Sequence, residues 1–213
     1  SIDYPLADRY NIARVAQFHK LIVQKDLTQA KEEYLNFLKE TILKIARQYA
    51  ELKDHPEELA YIAQLEREKH DLSFSDIVTE LDFPLFPEGQ LDSLTILARL
   101  PIRIYITTSY HNFLERELEA VGKRPHTRFC LWNTKTSSID SEYRFDPKYE
   151  PSVKEPVVYH LFGIEKYAES LVLSEDDYLD FLWALARGGA KRRRKGILPP
   201  YLEAELSTAS LLL

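Results

Sequence analysis

An apolar, largely β-branched run, Ile102–Ile106, broken only by Arg103, passes through Thr107, Thr108 and Ser109 into a helical pattern that closes on Gly122. Such a run suits a central strand covered on both faces, the usual state of a parallel sheet. Leu114, Leu118 and Val121 then recur at helical spacing, and Gly122 stands where a helix C-terminus favours a left-handed residue. A strand that feeds a helix through a short polar turn is half of a βαβ unit. In open α/β sheets the ligand crevice lies at the carboxyl ends of such strands, so Thr107–Asn112 is expected beside any small-molecule site.

Residues 1–100 read as helical. A helix is expected from about Asp8 to Val23, with Ile12, Val15, Ala16, Ile22 and Val23 on one face and His19 on the same stripe as a packed residue. Thr28–Leu52 is the longest helix. Its Leu35, Leu38, Ile42, Ile45, Tyr49 and Leu52 alternate spacings of three and four, which fits an intramolecular helix pair or, as the alternative, a homo-oligomer seam. His55-Pro56-Glu57-Glu58 starts the next helix, to about Lys69. A loop at Pro84–Gly89 and a short helix at Asp92–Leu100, capped by Asp92, lead into the strand.

After Gly122, strands are expected at Thr127–Trp132 and Val157–Phe162, the second stopped by Gly163, with an insertion, Asn133–Glu155, between them. Ser174-Glu175-Asp176-Asp177 has the form of a capping box, with Tyr178, Phe181, Leu182 and Leu185 on the buried face of the helix it opens. Pro199-Pro200 starts a last helix, and Ser210–Leu213 reads as a strand cut in mid-run. Alternating strands and helices beyond residue 100 predict an α/β fold with a parallel sheet. No methionine occurs, not even at position 1, so a fragment of a longer protein is expected.

The single cysteine, Cys130, excludes an internal disulfide and a multi-cysteine metal site, as in a reducing cytoplasm. A net charge of −6 argues against general nucleic-acid binding. Nothing is long and apolar enough to span a membrane, and no residue spacing suggests a metal. The cluster Lys191–Lys195 reads as a solvated loop, with phosphate or acidic-partner binding as the sharper reading. What remains is Thr107-Thr108-Ser109-Tyr110-His111-Asn112 and Tyr159-His160-Leu161-Phe162-Gly163, each at the carboxyl end of an expected buried strand. Side by side in a parallel sheet they would share one rim. Helix capping by Ser109 and simple packing of His160 are the competing readings, and the residues alone leave the choice open.

At these segments the chain resembles a sirtuin-like domain of the kind found in bacterial NAD-consuming defence effectors. The similarity extends through Tyr4-Pro-Leu-Ala-Asp-Arg-Tyr10, Ala13-Arg-Val-Ala-Gln17, Leu100–Thr108, Phe113-Leu-Glu-Arg116, Cys130-Leu-Trp-Asn133, Tyr149-Glu-Pro-Ser-Val153, Val158–Gly163, Ser170–Leu182, Leu198-Pro-Pro-Tyr-Leu202 and Ser210–Leu213. The resemblance implies a Rossmann-like parallel sheet with an N-terminal all-helical insertion (1–100) and an NAD-binding part (101–213), cut at both ends. It also implies a cytoplasmic protein whose partners are NAD or a related nucleotide and the effector or sensor domains of a larger protein.

Active members release nicotinamide from NAD with an Asn in a Thr-Thr-Asn-Tyr-Asp-type turn and a His directly before glycine. Here Ser109 stands for that Asn, His111 for the acid and Phe162 for that His. His160, two residues earlier, shares Phe162's face by strand alternation and is expected to substitute only in part, since it sits roughly 6–7 Å further down the strand, too far to replace a general base without rearrangement. The resemblance therefore implies Ser109, His111 and His160 as catalytic candidates, with Thr107, Thr108, Asn112, Phe162 and Gly163 shaping the NAD pocket. It implies weak or absent NAD glycohydrolase activity, the alternative being a non-catalytic nucleotide-sensing or interaction module.

Overall fold

The computed structural model describes residues 11–23, 27–83, 92–133, 136, 149–190 and 198–208. The expected features at Tyr4–Tyr10, Pro84–Gly89, Lys191–Lys195 and Ser210–Leu213, most of the Asn133–Glu155 insertion and the side chain of His19 lie outside the described residues. Five helices come first: α1 Ile12–Val23, α2 Leu27–Lys53, α3 Pro56–Glu68, α4 Phe74–Glu80 and α5 Ser93–Arg99. Then come β1 Ile104–Thr107, α6 Phe113–Ala120, β2 His126–Phe129, β3 Val157–His160, α7 Glu175–Ala190 and α8 Pro200–Thr208.

The three strands form one parallel sheet in the order β1-β3-β2. Val157, Val158, Tyr159 and His160 are all buried, as a central strand flanked on both edges requires. Alternation sends Tyr105 and Val158 to one face, against Ala98, Leu114 and Leu118 of α5 and α6. It sends Val157 and Tyr159 to the other, with Cys130, Phe181 and Leu202. Burial pushes the Cys130 thiol up to about 12, which leaves it inert.

Each strand is shorter at its carboxyl end, or begins later, than its apolar run suggests. The run 157–162 breaks after His160 because Leu161 and Phe162 turn the chain into Gly163, whose φ is +85°. Phe162 consequently packs edge-on against Phe181, at 5.3 Å between ring centroids, in the cluster on the α7 side. His160 points to the α6 side, so the expected common face of His160 and Phe162 does not exist.

Two helix faces also differ from their expected phase. In α2 the buried positions are Lys31, Leu35, Leu43, Ala46 and Ala50, whereas Ile45, Tyr49 and Leu52 are exposed, Leu52 at 86 %. Small Ala46 and Ala50 let α2 approach Ile62 and Leu65 of α3 and Ile77 of α4, and that close contact fixes its rotation. In α7 the buried side holds Asp177 and Phe181 with Leu185 packed beside them, while Tyr178 and Leu182 are exposed. The helix α4 has no counterpart in the expectations. Its signal is the capping box of Ser73 and Asp76, in which Asp76 N donates to Ser73 Oγ at 3.0 Å and Ser73 N to Asp76 Oδ2 at 2.9 Å.

The helical layer is joined to the sheet layer through a buried ion pair. Lys31 Nζ on α2 donates to Asp177 Oδ1 at 2.8 Å and to the Leu171 carbonyl at 2.6 Å. The two side chains are 3 % and 1 % exposed. The other oxygen of Asp177 accepts from Ser174 N at 2.9 Å, and Asp177 N donates to Ser174 Oγ at 3.2 Å, completing the expected capping box. Lys31→Met would strand that carboxylate in the interior. It is expected to lower the unfolding free energy by about 3–5 kcal/mol, measured by urea titration; an unchanged midpoint would show that the pair does not join the layers.

Candidate functional site

The carboxyl tips of β1 and β3 lie side by side: Thr107 is in register with His160, and Leu161 N donates to the Thr107 carbonyl at 2.8 Å. The two segments picked out by sequence therefore meet at one rim. Beyond Thr107 the chain folds back on itself, because Ser109 N donates to Thr107 Oγ1 at 3.0 Å. The carbonyl of Ser109 then accepts from His160 Nδ1 at 2.6 Å.

His160 is held from both sides. Its Nε2 lies 2.7 Å from Glu115 Oε1 on α6, and that oxygen also accepts from Thr127 Oγ1 of β2 at 3.0 Å. A carbonyl oxygen only accepts, so Nδ1 carries the hydrogen of that bond, and Nε2 is hydrogen-bonded to the Glu115 carboxyl. Both ring nitrogens are thus engaged within the protein, on a side chain 1 % exposed.

A cleft of about 390 Å³ opens at this rim. Tyr110, His111, Asn112, Glu115, Thr127 and His160 form its sheet-side wall. The opposite wall comes from Asp71, Ser73 and Asp76 at the start of α4 and from Ile164, Glu165 and Lys166. Among these lining residues are four carboxylates and one lysine. Their cross-links fix the shape. Arg116 donates from Nε to Asn112 Oδ1 at 2.8 Å and from Nη2 to Asp76 Oδ1 at 2.6 Å. Asn112 N donates to Ser75 Oγ at 3.2 Å, and the Ser75 hydroxyl donates to Glu165. Glu165 N donates to the Tyr110 carbonyl at 2.9 Å.

Burial pushes Glu165 above the usual carboxylate range, against the hydrogen bonds from Ser75. Burial also pushes Asp76 upward, but the bonds from Ser73 and the Arg116 guanidinium outweigh it and hold the carboxyl low. His111 stacks on Phe113 at 4.0 Å between centroids, and burial, helped by nearby His160, lowers its pKa.

The structure thus brings together His111, Asn112 and His160 of the expected residues. Ser109 enters through its backbone carbonyl and Thr107 through its turn-forming hydroxyl. Thr108 and Phe162 are not among the lining residues. Gly163 acts from behind: a Cβ there would collide with the Ser170 carbonyl. Glu115, Thr127, Asp76 and Glu165 belong to the cleft although sequence reasoning passed over them. Glu115 lies in the Phe113–Arg116 segment that carries the resemblance, and Asp76 has the spacing of a capping box with Ser73; Glu165 has no local signal.

A family model for the SIR2-like domain matches residues 103–213, just over half of the chain. The chain belongs to the SIR2-like domain family. No curated protein matches it. The matched span takes in all three strands and the sheet side of the cleft, whereas Asp71, Ser73 and Asp76 precede it. The SIR2-like segment thus supplies one wall and, through Ile164, Glu165 and Lys166, part of the other, which Asp71, Ser73 and Asp76 complete.

Two outcomes follow from this geometry. Gly163→Ala is expected to cost at least 1–3 kcal/mol in urea unfolding, from left-handed strain plus the collision with Ser170. For His111 the folded pKa lies below its ordinary 6.5. The folded state therefore binds this proton less readily than the unfolded chain, and the stability it contributes is present above pH 6.5 and lost as pH falls through the folded value. His111→Phe should flatten the loss of stability on acidification below pH 6.5, followed by melting temperature against pH.

Proposed function

We propose that this SIR2-like chain binds NAD, or a closely related nucleotide, at the rim shared by β1 and β3, with weak or absent nicotinamide release. The observation that carries the reading is the register of Thr107 against His160 inside the family's own segment, with a cleft at their tips. At about 390 Å³ the cleft suits a nucleoside-sized portion of a ligand. Its acidic lining suits the uncharged or cationic portion, so the phosphates of the dinucleotide are placed outside it.

NAD, when bound, supplies the glycosidic bond whose cleavage frees nicotinamide. This chain's residues bear on that step as follows. Tyr110, His111 and Asn112 shape one wall and Asp76 and Glu165 the other, which orients a ligand and excludes part of the water. A base must take a proton from the attacking water or hydroxyl, a contribution worth about 10²–10⁴-fold. Phe162 can take none, and both nitrogens of His160 are already engaged. The same observation favours a second reading, a nucleotide-sensing module that binds without turnover. In either case we place the domain in the cytoplasm of a bacterium, within a larger defence or effector protein whose further domains respond to the bound nucleotide. Residues 1–100 are read as the helical insertion and 101–213 as the NAD-binding part.

Calorimetric titration with NAD, alongside chromatographic detection of free nicotinamide, tests this. Saturable binding is expected, with nicotinamide release about a hundredfold or more slower than in a family member carrying the Asn and His. Absence of saturable binding would sink the reading; release as fast as in that member would sink its second half.

A further inference from the structure

Glu115 is 5 % exposed and divided in its duties. Its Oε1 serves His160 and Thr127 at 2.7 and 3.0 Å. Its Oε2 is buried and has no hydrogen-bond partner among the described residues, and the same holds for His111 Nδ1, four residues earlier in the wall of the same cleft. A buried carboxylate oxygen without a donor is rarely left so in a native protein, because its lost hydration is not repaid. A bound group that brings a donor would repay it.

The chemistry of that group is constrained by its surroundings. Asp71, Asp76 and Glu165 line the cleft with Glu115 against the single lysine Lys166, so a phosphate, which carries negative charge and no donor, is disfavoured. An uncharged hydroxyl or amide N–H has the donor and lacks the charge. We propose that Glu115 is a ligand-binding and specificity-determining residue, its Oε2 accepting from an uncharged O–H or N–H donor of the bound nucleotide. This rests on the NAD reading above. His160 and Thr127 then act as positioning residues, which hold Oε1 so that Oε2 stays in place for the ligand.

Three parts of NAD offer such a donor, the ribose hydroxyls, the adenine amine and the carboxamide of nicotinamide, and ADP-ribose, which lacks the nicotinamide, sets the last apart. The test is calorimetric titration of the whole chain with NAD and with ADP-ribose, for the wild type, Glu115→Met and Glu115→Asp. Met keeps the length and removes both acceptors; Asp keeps a charge for His160 but withdraws the carboxylate by one methylene, and so gives a folded comparison if the Met variant melts. Both are expected to weaken NAD by about tenfold or more. An equal loss for ADP-ribose assigns the donor to a ribose hydroxyl or the adenine amine, and a loss confined to NAD assigns it to the carboxamide. NAD affinity unchanged in either folded variant overturns the role of Glu115 and leaves the NAD reading standing. No binding of NAD by the wild type removes that reading, and this inference with it.

Discussion

One imidazole ties four pieces of this chain together. His160 sits at the end of the central strand, and its two nitrogens reach the Ser109 carbonyl beyond β1 and the Glu115 carboxylate on α6, which in turn holds Thr127 of β2. Parallel strands expose their carboxyl ends as unpaired backbone, and some side chain must organise the loops that leave them. Here a buried polar network does so, and such networks are rigid when every atom has a partner. The orphaned Oε2 of Glu115 is thus the more telling, since it is an open valence within an otherwise closed network.

The helical layer is part of the site. Alone, the strand-end turn would face water across the rim; α4 brings Asp76 and Ser75 against Arg116 and Asn112, some 40 positions away in the chain, and against Glu165, 90 away. The Lys31–Asp177 pair fixes the same layer at the N-terminus of α7. Buried ion pairs are poor sources of net stability but heavily penalise any arrangement that separates the partners. That suits a joint that sets the width of a cleft. It also links residues before the SIR2-like segment to the chemistry available within it.

The strand–turn–helix at residues 104–120 was legible in the sequence because its signals are local, a β-branched run, a short polar turn and a left-handed glycine at Gly122, although the helix starts at Asn112 without the side-chain cap that Ser109 offered. So was the capping box at Ser174. The rotation of α2 was not, because apolar residues occur on two of its faces and only the small Ala46 and Ala50, packed against α3 and α4, select between them. The parallel neighbourhood of β1 and β3 followed from fold-level rules, but the acidic far wall of the cleft did not. Asp76 and Glu165 meet only through tertiary contact, and no spacing in a single chain encodes that.

The displacement of the histidine by two positions shows how little a motif count settles. In an unbroken strand, residues two apart share a face, so His160 would look like a substitute for an imidazole at 162. The strand instead ends at His160, because Gly163 must take a left-handed turn tight against Ser170 and the preceding two residues swing out to reach it. That turn sends Phe162 into the apolar cluster with Phe181, where an imidazole would be buried without the cleft in reach. His160, on the opposite face, has acceptors at both nitrogens and so serves to hold the turn and α6 in place. The ring braces the turn against α6, and the carboxylate it holds keeps one buried oxygen without a partner among the described residues.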